Sequence, residues 1–324
     1  MTGARLGTMD EGAAMSVVVA TDRFDTAART LECLRLQTIR ERLEIVLVSL
    51  SGKPLGVPPA ALNCFACHVL IEPEARLTLP AGRATGVRAA RAPLVCVAET
   101  HAFPHPDLAE LLIGAAQTQR AAVVPGFCNA NPDGAISWSN LIADYGPWLD
   151  ALPRGRRKLC PPYNTLFRRA FAVEAAEGDE SAFAPGYDLV ARLHAQGYEI
   201  FSEPDARLDH VNVSLRRTWL TQRFIAGRSQ AGVRAQRWSR SRRAAYALGS
   251  PLLPLVLLAR CARPFVAARR AHRIPWLTAP ALVAGVLAVA AGELTAFVAG
   301  GSPDVLEAAD EFELHKVDYT RRDA

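Results

Sequence analysis

The chain has 324 residues, half of them hydrophobic and 21% charged, which excludes a disordered, collagen-like or polyelectrolyte chain and leaves room for about two domains. The net charge of +5 hides an asymmetry, because from His210 to Gly292 there is no acidic residue among 14 arginines. Such a block serves nucleic acid or an anionic membrane surface. Apolar runs interleave it and the aromatic-plus-glycine signatures of RNA modules are absent, so the expected partner is an anionic membrane surface and not nucleic acid.

In chain order, residues 16–21 (SVVVAT) are a β-branched run, and Asp25 or Thr26 caps a helix with Ala28, Leu31, Leu34 and Leu36 on its apolar face. A second strand follows at 44–50, a Pro/Gly-rich loop at 52–59 and a third strand around 64–71. A helix at 82–91 leads to a strand at 93–98, a Pro/His loop, a helix at 107–119 and a strand at 121–125. Alternation of strands and helices predicts an α/β fold with a mainly parallel sheet covered on both faces. Ligands bind beyond the carboxyl ends of such strands, which directs attention to residues 21–25, 49–52 and 99–107. Further along come a charged loop at 174–180, a helix at 187–196 and a short extended segment at 198–201.

Seven cysteines is an odd count, and nothing before Met15 has the apolar core of a secretory signal. Cys33, Cys96 and Cys128 sit in apolar runs and are expected as reduced core thiols. Cys64, Cys67 and His68 match the c-type haem pattern. That attachment occurs outside the cytosol, so a buried strand is the preferred reading.

Four stretches, in this order, resemble family 2 glycosyltransferases over residues 14–215. SVVVATDRFDTAARTLECLRLQT is similar to the family's opening strand, nucleotide loop and helix. AGRATGVRAARAPLVCVAETHAFPHPDLAELL is similar to its central stretch leading into the metal motif. YNTLFRR resembles the acceptor-side segment, and DLVARLHAQGYEIFSEPDARLDHVN covers the closing helix, glycine turn and histidine strand. The resemblance implies a single nucleotide-diphosphosugar transferase (GT-A-like) domain. The expected layout is a disordered N-terminus at 1–14, a catalytic domain at 15–215, a basic and hydrophobic helical membrane-associated region at 216–301 and an acidic tail at 302–324. Three departures stand out. Ser49-Leu50-Ser51 stands where the family usually has an aspartate, Glu99-Thr100-His101 stands for Asp-x-Asp, and Pro185-Gly186-Tyr187 replaces an acidic pair.

The resemblance implies inverting, metal-dependent transfer of a sugar from a nucleotide-diphosphosugar to a saccharide or lipid-linked acceptor. The setting is cell-surface polysaccharide or glycolipid synthesis at the cytoplasmic face of the bacterial inner membrane. The departing pyrophosphate needs a divalent metal or arginines. Glu99 and His101, two residues apart at a solvent-facing strand end, project to one face and can share an ion. Oxygen plus imidazole suits Mn²⁺ somewhat better than Mg²⁺. The alternative is a polar strand end that binds no metal. His210 matches the family's late histidine and completes the set, unless it is a hydrogen-bonded structural residue. Thr21, Asp22, Arg23 and Glu99 are candidates for contacting the nucleotide sugar and Arg83 for the phosphates, against solvated loop charges as the alternative. Asp188 is the candidate general base, with Glu180 or Asp179 behind it. The departures also motivate a second reading, a catalytically degenerate scaffold of a membrane complex.

Residues 274–292 form a charge-free run of 19, close to the length that spans a hydrocarbon core. Residues 244–259 are also uncharged but are interrupted by Pro251 and Pro254. The expectation is that the earlier run lies in the interface with its arginines at anionic headgroups, while the later one spans once or re-enters.

Overall fold

The structure is a computed structural model and describes residues 4–6, 12–116, 119–185, 189–236 and 238–320. It opens with β1 (Ala4–Leu6), β2 (Met15–Thr21), α1 (Phe24–Arg35), β3 (Leu43–Ser49), β4 (Cys67–Ile71) and α2 (Leu79–Ala89). Next come β5 (Leu94–Ala98), β6 (Ala102–Pro104), α3 (Leu108–Ala115), β7 (Arg120–Asn129), α4 (Ala135–Tyr145), β8 (Gly155–Arg157) and β9 (Leu166–Arg168). The chain continues through α5 (Arg169–Gly178), α6 (Leu189–Ala195), β10 (Glu199–His210), α7 (Arg216–Ala235), α8 (Arg240–Gly249), α9 (Leu253–Ala271), α10 (Thr278–Ala299) and α11 (Pro303–Leu314). It packs as two compact units. One takes the chain up to Gly126, Pro153–Ala184 and the stretch ending at Asp209; the other takes Phe127–Leu152 and the chain from His210 onward.

The first unit is built on a sheet of order β1-β4-β3-β2-β5-β9-β7-β10-β6, with β8 paired to β10. Its centre, β4-β3-β2-β5, is parallel, with Val18 opposite both Val46 and Val97. β2 and β3 are buried along their whole length, as expected of central strands covered on both faces. Helix α2 lies directly on them. A Cβ on Gly86 would fall 2.3 Å from Val18 Cγ1, and one on Gly82 2.2 Å from Leu50 Cδ2, so only glycine permits this approach. The N-terminus of α2 is capped by Thr78, whose Oγ1 accepts from the Ala81 N–H.

A charge sits inside this core. Glu44 on β3 is fully buried, and its carboxylate accepts from the Ser16 hydroxyl and, at 2.7 Å, from the Arg91 N–H. These bonds tie β2, β3 and the start of the β5 segment together at one carboxylate, and an unpaired charge there would be strongly destabilising.

The second unit is helical. α10 packs against α7, α4, α8 and α9. Its buried Glu293 pairs with Arg234 of α7, and Arg223 of α7 pairs with Asp144 of α4 at 2.7 Å. A Cβ on Gly292 would lie 2.1 Å from Phe224 O, and one on Gly227 2.2 Å from Val289 O, so the backbones of α7 and α10 touch at two turns.

Several local expectations change. Residues 174–178 are not loop but the end of α5, whose Phe171, Ala172, Ala175 and Ala176 are buried at helical spacing; the charges at Glu174 and Glu177 occupy its outer face. The short segment at 198–201 is the start of a 12-residue strand, in which Ala206, Leu208 and His210 are buried while Asp205 and Arg207 face outward. Pro204 obscures that strand in the sequence, and it is accommodated because Gly126 brings no side chain against the Pro204 carbonyl. Leu36, read as part of the apolar face of α1, is its exposed C-cap. Within the N-terminal 14 residues expected to be disordered, Ala4–Leu6 is β1, antiparallel to β4; residues 1–3 and 7–11 lie outside the described residues. All seven cysteines are free thiols, and Cys33, Cys64, Cys67 and Cys128 are half-buried rather than core.

Replacing Glu44 with alanine leaves the Arg91 N–H and Ser16 without their acceptor, so Glu44→Ala is expected to lower the unfolding free energy by about 3 kcal/mol. Equilibrium urea unfolding measures it.

Candidate functional site

The parallel strand β5 ends at Ala98, and the next three residues, Glu99-Thr100-His101, turn the chain into β6. The turn is closed by the Ala102 N–H donating to Glu99 O at 3.3 Å and held to α1 by the Thr30 hydroxyl donating to Thr100 O at 2.9 Å. Glu99 and His101 therefore meet through a turn and not through strand alternation. They are also not solvent-facing: Glu99 is 2% and His101 1% exposed. Glu99 Oε1 lies 3.6 Å from His101 Nε2, beyond hydrogen-bond distance and of the order of the separation between two ligands of one ion.

Glu99 is oriented by Asn164, which has φ +54°. The Asn164 amide donates to Glu99 Oε2, its Oδ1 accepts from the Glu99 N–H at 3.1 Å, and its own N–H donates to Val97 O at 2.6 Å. Asparagine is among the few residues other than glycine that tolerate this left-handed conformation. Sequence reasoning placed Asn164 in an acceptor-side segment and missed this role; the turn-forming asparagine in YNT was the available signal. Burial pushes the nearby Cys96 thiol up to about 12, so no thiolate competes for a cation there.

The preceding residue, Tyr163, serves Arg83. The Arg83 guanidinium lies 4.6 Å from the centre of the Tyr163 ring and donates to Phe183 O at 3.3 Å. Arg83 is buried and sits one residue after Gly82, which packs against Leu50 and Ala20. Two adjacent residues, Tyr163 and Asn164, thus fix one buried cation and one buried anion. At the end of β2, Thr21 is buried and its hydroxyl donates to Arg23 O at 2.8 Å. Asp22 is half-buried, while Arg23 is exposed and lies 3.4 Å from Asp25 Oδ1. After β3, where an aspartate was expected from the resemblance, the Ser49 hydroxyl closes the loop by donating to Lys53 O at 2.6 Å.

His210 is the last residue of β10 and belongs to the second unit. It is buried, with Tyr145 4.4 Å and Phe127 6.1 Å from it, ring centre to ring centre. Asn212 Nδ2 is turned toward Asn129 Oδ1 and His210 O, at 3.1 and 3.0 Å, which leaves Asn212 Oδ1 facing His210 Nδ1 at 3.0 Å. The imidazole Nδ1–H therefore donates, and the lone pair is on Nε2, the tautomer of a metal-ligating histidine. Burial, joined by the Lys316 charge, pushes the His210 pKa well below its ordinary value, so the ring is neutral at pH 7.

Of the candidate general bases, Glu180 is exposed in a turn, and Asp179 accepts from the Ser181 N–H at 2.7 Å. Asp188 lies outside the described residues.

Asn164→Ala removes both amide contacts to Glu99 and strains the backbone, so a loss of about 2 kcal/mol is expected. Asn164→Gly restores only the backbone part. Chemical unfolding of both variants separates the two contributions.

Residues 16–173 match the family model described as "Glycosyl transferase family 2". A search of curated proteins returns no match. Among solved structures the chain is similar to mannosyltransferase PcManGT from Pyrobaculum calidifontis, solved in complex with GDP-Man and Mn²⁺. That likeness has 18% identity and a TM-score of 0.53, over 87% of each chain. It is also similar to TarS from S. aureus, solved in complex with UDP, at 12% identity and a TM-score of 0.41 over 87% of this chain and 90% of that one. Residues 16–173 thus match the model of glycosyl transferase family 2, and the parallel-centred sheet has the GT-A-like fold of the similar mannosyltransferase.

Proposed function

We propose that the protein transfers a sugar, with inversion, from a nucleotide diphosphosugar to a saccharide or lipid-linked acceptor in cell-surface polysaccharide or glycolipid synthesis. Since nucleotide sugars are expected in the cytosol, the reading places it at the cytoplasmic face of a bacterial membrane. The observation that carries it is the buried Glu99–His101 turn at the carboxyl end of parallel strand β5, the position where open α/β sheets bind ligands.

The donor set fits a divalent cation. A carboxylate oxygen and an imidazole nitrogen lie within reach of one ion, Asn164 orients the carboxylate, and this chemistry suits Mn²⁺ with Mg²⁺ as the second choice. His210 is proposed as a third ligand because its tautomer presents Nε2 as an acceptor. A bound ion supplies positive charge where pyrophosphate departs. The similar mannosyltransferase, solved with GDP-Man and Mn²⁺, supports the same ligand classes. Arg83, held against Tyr163 with its charge out of water, adds to the stabilisation of the diphosphate. Thr21, Asp22 and Arg23 follow the first parallel strand and are proposed to contact the nucleotide. A carboxylate takes the proton of the acceptor hydroxyl as it attacks; Asp188 is assigned that role, with Glu180 as the alternative.

Two measurements test the reading. Wild-type protein with GDP or UDP and Mn²⁺ at 100 times the dissociation constant should be stabilised by about 2.7 kcal/mol, and Glu99→Gln and His101→Ala should lose the metal-dependent part. Stabilisation that ignores metal, or that survives in both variants, removes this site. Asp188→Asn should depress turnover about 100-fold or more with little change in nucleotide affinity. An inactive Glu180→Gln beside an active Asp188→Asn would reassign the base.

A further inference from the structure

The large apolar side chains that the second unit leaves in water are concentrated between residues 246 and 298. Leu248 is 83% and Trp276 76% exposed, and Leu252, Leu255 and Val256 are each more than half exposed. They lie on α8, on the 3-10 turn Ser250–Leu252, on the first turn of α9 and on the connection to α10. α10 adds Val283, Leu287, Leu294 and Val298, all exposed, at intervals of four and seven residues that keep them on one side of the helix. Its other side is packed against the unit.

The charged residues of α8 and α9 have one sign. Arg240 and Arg242 on α8 and Arg260, Arg263, Arg269 and Arg270 on α9 are exposed. The first acidic residue after them, Glu293, is buried and paired with Arg234. Apolar side chains interleaved with arginines and a tryptophan complement a leaflet that offers acyl chains beneath anionic headgroups.

Length alone does not say whether α10 crosses that bilayer. Its 22 residues suffice for a crossing. Its packing argues against one, because the backbones of α10 and α7 touch at Gly292 and Gly227, so α7 shares the depth of α10. α7 carries Arg216, Arg217, Arg223, Arg228 and Arg234, and arginine is among the costliest residues at hydrocarbon depth. We propose that the second unit is a monotopic anchor. The α8–α9 tip and the outer stripe of α10 enter one leaflet of an anionic bilayer, the arginines meet its phosphates, and α10 lies along the surface without crossing.

The test uses full-length protein and flotation with vesicles of phosphatidylcholine alone or mixed with phosphatidylglycerol. Binding should be at least about ten-fold tighter to the mixed vesicles and should weaken with salt. Leu252→Asp/Leu255→Asp should keep the wild-type unfolding midpoint and lose binding by about ten-fold or more; Trp276→Asp serves if that variant misfolds. Alkaline carbonate should release the protein from cell membranes. Failure to float with either vesicle, or undiminished binding by both variants, overturns the proposal. Carbonate-resistant membranes with a protected fragment would mean a crossing helix. A wild-type dimer that becomes monomeric in the double variant, with flotation unchanged, would mean that a second copy covers this surface. None of these outcomes touches nucleotide binding, so this inference and the proposed activity fail separately.

Discussion

A carboxylate out of water must be held by something, and at Glu99 the holder is a neutral amide. Asn164 gives and receives a hydrogen bond with the same residue, once through the side chain and once through the backbone of Glu99. This is possible because Asn164 adopts a left-handed conformation and anchors its own N–H on Val97, the penultimate residue of β5. Without that clamp the strand end would have no reason to keep a carboxylate and an imidazole 3.6 Å apart in a dry site. The clamp fixes the direction of the Glu99 carboxylate, as hydrogen-bonded outer partners do for carboxylates that ligate a metal.

Glu44 shows the contrasting case in the same sheet. It is equally buried, yet its Oε2 accepts from the Ser16 hydroxyl and from backbone N–H groups at the start of the β5 segment. Glu44 is a structural cross-link between segments. Glu99 is placed at the carboxyl end of a strand, where the chain leaves the sheet and a ligand approaches. The two residues separate what burial alone would confuse.

Much of the fold was legible because its signals are local. The β-branched runs of β2 and β3 announce buried strands, whereas Glu99 and His101 lie near each other through a turn and out of water, not by the strand alternation that the sequence suggests. What escaped depends on distant partners. α5 reads as a loop because its outer face carries glutamates, although its alanines and Phe171 are core. β10 reads as a fragment because Pro204 and alternating charges hide it, and only Gly126 across from it makes the proline tolerable. α4 went unread because Ser137, Ser139 and Asn140 are buried polar residues of that helix, with Ser137 and Asn140 satisfied by partners such as Asn129 and the Val213 carbonyl. Asn164 belongs to the same class: its amide acts on Glu99 only because the fold holds it in a left-handed conformation. The apolarity of α10 was plain in the sequence, whereas its close fit to the arginine-bearing α7 rests on two glycines, Gly227 and Gly292, whose neighbours only the fold supplies.

The central claim is that the Glu99–His101 turn takes a divalent cation, and electron spin-echo spectroscopy of Mn²⁺ added with nucleoside diphosphate tests it most directly. The account predicts nitrogen modulation from a coordinated imidazole in the wild type, diminished in His101→Ala and preserved in variants of an exposed histidine such as His194. Mn²⁺ bound with no imidazole nitrogen in its coordination sphere, or a spectrum that His101→Ala leaves unchanged, would contradict it.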